Sequence, residues 1–126
     1  MFEVTRFHHA SLIVKDTEQA LVFYRDLLNL KVISERPDLG YAGAWLDLGS
    51  GQQLHLLELD NPDSIENRPE HGGRDRHLAF RIKSLNLLEN ELSQAQIAYT
   101  LSLSGRAALF CRDPDGNALE FIEQKT

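Results

Sequence analysis

"HHASLIVKDTEQALVFYRDLLNL", residues 8–30, decides how this chain folds. Apolar residues alternate with others through Val14, as in a half-buried strand, and the strand reading extends back to Val4. Asp16 then stands where a helix N-cap belongs, with Ala20, Tyr24, Leu27 and Leu28 at helical spacing behind it. The order returns in "RHLAFRIKSLNLLENELSQAQ", residues 76–96, where Ser84 takes the capping place. Aligning His9 with His77 also aligns Lys15 with Lys83 and Asp16 with Ser84. Three strand-like runs follow each helix: "KVISER", "YAGAWLDLG" and "QQLHLLEL", then "IAYTLSL", "RAALFCR" and "NALEFIEQ". Each half therefore reads β-α-β-β-β, an internal duplication. This predicts an α+β fold in one domain, residues 1–126. Its two βαβββ modules, about 4–59 and 76–124, are joined by a polar loop at 60–75.

Composition narrows the partners. Thirteen basic against nineteen acidic residues leave a net charge of −6, which disfavours nucleic acid or an anionic membrane as partner. The single cysteine, Cys111, rules out an internal disulfide and fits a reducing compartment. No apolar run approaches the ~18 residues of a membrane span, and the first ten residues lack the apolar core of a secretory signal. The expectation is a cytoplasmic domain that handles a small molecule.

Strand parity locates a candidate site. Ala10, Leu12 and Val14 share one face of the first strand, with His9 on the other; Leu54 and Leu56 oppose His55. Leu78, Phe80 and Ile82 oppose His77, and Leu119 and Phe121 oppose Glu120, just after the turn "DPDG" at 113–116. The apolar faces suit packing under the helices. The opposite faces each carry one potential metal ligand, at intervals of 77 − 9 = 68 and 120 − 55 = 65. Imidazole and carboxylate together suit a borderline divalent ion such as Zn, Ni, Co, Mn or Fe. A strand histidine standing alone is commonly a packed residue with a hydrogen bond; the recurrence at equivalent places carries the reading.

These residues, with "FYRDLL", "GAWLDLGSGQQLHLLE", "RHLAFRI" and "DPDGNALEFIE", resemble the vicinal oxygen chelate superfamily, which includes glyoxalase I. The resemblance covers essentially the whole chain. It implies curved mixed sheets around a metal-centred cavity, a homodimer, and ligands at His9, His55, His77 and Glu120. It also implies Lewis-acid chemistry on adjacent substrate oxygens, with ligands from modules of one chain or of two. The pattern departs from glyoxalase I at His55, where that enzyme usually has a carboxylate. Three imidazoles and one carboxylate leave a divalent site at formal charge +1. The expected function is a metal-dependent lyase or isomerase of a small oxygen-chelating metabolite. Alternatives are an Fe(II)-dependent ring-cleaving dioxygenase and a binding protein of the bleomycin-resistance type, which typically lacks the ligands.

Glu120 is the candidate base, or a ligand only. Arg81 and Arg106 are candidates for a substrate carboxylate or phosphate, or for surface ion pairs. Trp45 and Asp47 share a face and are candidate cavity lining, Trp45 alternatively being core. By parity His8 points away from His9. His71 sits in a loop with two glycines, as a flap or a solvated residue.

Overall fold

The computed structural model describes residues 1–125; Thr126, the last residue of the predicted domain range, lies outside the described residues. The chain divides into two compact units, Met1–Asp63 and from Ser64 onward. The first unit holds β1 (His9–Val14), α1 (Thr17–Leu21), a π-helical continuation (Val22–Leu27), β2 (Lys31–Val32), β3 (Gly43–Gly49) and β4 (Gln52–Glu58). The second holds β5 (His77–Ile82), α2 (Leu85–Gln94), β6 (Tyr99–Leu101), β7 (Ala108–Arg112) and β8 (Ala118–Glu123). Each is a βαβββ module with a four-stranded mixed sheet, ordered β1-β4-β3-β2 and β5-β8-β7-β6. The first and last strands of each module pair in parallel, and the other pairings are antiparallel. The α+β, two-module expectation holds.

Both helices start as the sequence predicts. The Asp16 carboxylate accepts from the Gln19 N–H at 3.1 Å, and the Ser84 hydroxyl accepts from the Leu87 N–H at 3.2 Å. A second device went unforeseen. Glu58, at the end of β4, accepts from the Thr17 N–H at 2.8 Å, and Glu123, at the end of β8, accepts from the Leu85 N–H at 3.0 Å. These carboxylates sit against the positive end of each helix and fasten it to its own sheet. Glu123 is thus a structural acceptor.

Packing follows parity. In the first unit Leu12, Leu54, Leu56, Ala44 and Leu46 lie on the apolar face by register, and α1 lies against β4. In the second, Leu78, Phe80, Leu119, Phe121, Leu109 and Cys111 do the same, and α2 lies against β8. Leu46, Leu54, Leu109 and Leu119 are wholly buried, and each contributes about 2 kcal/mol of apolar transfer. The opposite faces carry His55 between Ser11 and Trp45, and Glu120 between Ala79 and Phe110.

Several boundaries differ from the reading. β1 starts at His9 rather than Val4, because its partner β4 starts at Gln52 and pairs only from Gln53. β2 stops at Val32, short of Arg36, because the chain turns at Ser34 and Glu35 just after the Ile33 N–H bonds the Trp45 carbonyl at 2.8 Å. The first helix is α-helical only to Leu21. The Leu28 N–H then reaches the Phe23 carbonyl five residues back at 2.9 Å, and the wider turn buries Phe23 and Tyr24 together.

Candidate metal centre

The turn "DPDG" sets the final strand. Buried Asp113 accepts from the backbone N–H groups of Asp115 and Asn117, each at 2.9 Å, and Gly116 takes φ +82°. β8 leaves this turn with Leu119 on the apolar face and Glu120 on the other, 3 % exposed.

In the second unit Glu120 meets two cation-capable groups. Its Oε1 lies 3.3 Å from His77 Nε2, and its Oε2 accepts from Arg106 Nη2 at 3.2 Å. His77 Nδ1 lies 2.8 Å from the Asp75 backbone carbonyl. A carbonyl only accepts, so Nδ1 carries a proton and Nε2 is the ring nitrogen that faces the carboxylate. A gap of that length between an imidazole nitrogen and a carboxylate oxygen is one that a proton or a metal ion can bridge. Asp75 is itself anchored by Arg68 at 2.6 Å and by Arg112 at 2.9 Å. The Arg68 bond, aided by Arg112, holds its carboxyl down at about 2. Arg112 also donates to the carbonyls of Pro69, at 2.6 Å, and Gly116, at 2.8 Å. The segment ahead of β5 is therefore tied to β7 and to the final turn.

The first unit pairs its candidates differently. His9 and His55 stack with ring centroids 4.0 Å apart, and Trp45 stacks on His55 at 4.4 Å. His55 Nε2 lies 2.8 Å from the side-chain oxygen of Gln53, so Nε2 bears the proton and Nδ1 is the free acceptor. Burial first, then the charges of His9, His8 and Arg36, hold the His55 imidazole down at about 4. It is neutral at pH 7, as a ligand must be. His8 is not turned away from His9, since their Nδ1 atoms lie 2.9 Å apart. His8 precedes β1, so strand parity does not govern it.

The remaining candidates separate. Trp45 is a ring partner of His55. Asp47 is exposed and caps its own turn through the Gly49 N–H at 2.7 Å. Arg81 is exposed. His71 accepts from the Gly73 N–H at 3.0 Å and packs on Phe110, centroids 4.9 Å apart; its buried Nε2 finds no acceptor in the structure. Phe110 also touches His77, at 5.2 Å between centroids. It forms part of the wall of a cavity of about 260 Å³ with Gly72, Ile97, Tyr99 and Arg112. Among the described residues no three His, Cys, Asp or Glu side chains form a group that could hold an ion; the candidates come in pairs.

Comparison with known proteins agrees with the fold. The family model for the Glyoxalase/Bleomycin resistance protein/Dioxygenase superfamily matches residues 6–121. Glyoxylase I 4 of Arabidopsis thaliana is 28 % identical over 122 residues, covering 93 % of this chain and 70 % of that protein. The lactoylglutathione lyase of Haemophilus influenzae is 26 % identical, covering 94 % of this chain and 92 % of that one. A crystal structure of a glyoxalase family protein from Bacillus anthracis superposes with a TM-score of 0.78 over 99 % of both chains, at 21 % identity, a likeness of fold.

Proposed function

The chain belongs to the Glyoxalase/Bleomycin resistance protein/Dioxygenase superfamily, and from that premise we propose that it is a metal-dependent lyase or isomerase acting on a small oxygen-chelating metabolite. The observation that carries the proposal is the pair His77 Nε2 and Glu120 Oε1, facing at 3.3 Å with His77 Nδ1 already committed to a backbone carbonyl. Two ligands bonded to one divalent ion at ~2.1 Å stand roughly 3.0–3.4 Å apart, so this pair fits without rearrangement. Such carbonyl-oriented histidines are the usual support of a metal ligand.

His77 and Glu120 would hold the ion in the second unit, and His9 and His55 are the candidate donors of the first. A bound divalent ion would supply Lewis-acid polarisation of adjacent substrate oxygens. Glu120 is the only carboxylate among the four donors and the candidate to take up a carbon-bound proton. Arg106 and Arg81 are candidates for an anionic group of the substrate. We propose a homodimer as the working form.

Protein stripped with chelator and reloaded separately with Zn2+, Ni2+, Co2+ and Mn2+ tests the reading. Assays cover lactoylglutathione formation and proton exchange on small vicinal-oxygen compounds. Metal-restored turnover in either supports it. Turnover indifferent to chelation contradicts it, and oxygen uptake with catechols on Fe2+ alone would replace it by ring cleavage.

A further inference from the structure

Glu120 is 3 % exposed, and a buried carboxylate needs opposite charge close by. In the second unit Arg106 supplies such a charge beside His77, its Nη2 donating to Oε2 at 3.2 Å. The two partners are unequally committed. The Arg106 side chain is 58 % exposed, against 4 % for Glu120. Arg106 also rises from an exposed turn of its own making, in which the Ser104 hydroxyl accepts from the Arg106 N–H at 3.3 Å and from its Nε at 3.2 Å. Gly105, with φ +82°, shapes that turn. None of those local bonds depends on Glu120. Water can take the guanidinium at little cost, whereas the carboxylate has no such exit.

We infer that Arg106 is a counter-ion that positions Glu120 in the metal-free chain and competes with a divalent ion for that carboxylate. The inference rests on the metal reading of the His77–Glu120 pair. An ion seated at Oε1 would bring two positive charges toward Arg106, so loading the site would turn the guanidinium outward, and Arg106 would lower the affinity for metal. If Arg106 instead only oriented the carboxylate, removing it would weaken the metal.

Calorimetric titration of chelator-stripped protein with manganese chloride separates these cases, with thermal melts confirming that each variant is folded. Arg106→Ala and Arg106→Gln are expected to bind Mn2+ roughly threefold or more tightly than wild type, and Arg106→Lys to restore wild-type affinity. Equal or weaker binding in those two variants, with wild type binding normally, overturns the inference and leaves the metal reading standing. No binding by wild type or any variant removes the metal reading, and this inference with it.

Discussion

Two equivalent positions, Asp47 on β3 and Arg112 on β7, show how duplicated modules came to prepare their candidate ligands differently. Arg112 ties Asp75, Pro69 and Gly116 together, and the Asp75 carbonyl in turn fixes His77 Nδ1. Asp47 caps only its own turn. Ahead of β1, where Asp75 has its counterpart, stands Phe7, 81 % exposed. His9 is left with a second histidine and a stacked ring for company. One module thus aims an imidazole nitrogen at a carboxylate, while the other keeps its imidazoles face to face. The lesson is that a site is oriented by what surrounds its ligands, and that this support need not be duplicated with the fold.

The largest effect that breaks this contrast should come from Asp75→Ala. It leaves two guanidiniums without their shared carboxylate and should cost about 2 kcal/mol in urea unfolding. Asp47→Ala, at the equivalent of Arg112, should cost less than about 0.5 kcal/mol. Equal losses would mean that Asp75 anchors no more than a carboxylate capping its own turn does.

Where the modules agree, matched substitutions should agree too. Glu58→Gln and Glu123→Gln each weaken a carboxylate at a helix N-terminus and should each cost about 1 kcal/mol. A cost confined to one of them would show that the helix tie is not a shared device.

The smallest effect concerns Cys111, 4 % exposed on the apolar face of β7. Burial, with the nearby charge of Asp113, pushes its thiol from 9.0 up to about 12. The unfolded chain loses this proton first, so the thiol's contribution to stability is whole below pH 9 and declines as pH rises toward 12. In the native protein its reaction with a disulfide reagent should be far slower than in the urea-unfolded chain and should go on rising past pH 9 without levelling. A native rate equal to the unfolded one, levelling near pH 9, would show an accessible thiol.

Much of this was legible beforehand, for a physical reason. Period-two alternation forces Leu54 and His55, or Leu119 and Glu120, onto opposite faces, and Asp16 and Ser84 cap the helices through bonds three residues long. What escaped depends on distance along the chain. The Glu58–Thr17 and Glu123–Leu85 bonds span 41 and 38 residues, and a glutamate at a strand end carries no local mark of such a partner. The anchoring of Asp75 by Arg112 spans 37. His8 was misjudged because parity was extended past the end of the ladder, and the π-helical turn because apolar spacing alone does not distinguish it from an α-helical one.

The central claim, that the second module presents a metal-ready donor pair, is tested most directly by counting ions. Chelator-stripped wild type and His77→Ala, both checked for folding by circular dichroism, are reloaded with Zn2+ or Mn2+, dialysed and measured by elemental analysis. Wild type should retain stoichiometric metal, and His77→Ala should bind about 10- to 100-fold more weakly. Wild type that retains no ion, or His77→Ala that retains as much, would contradict the account.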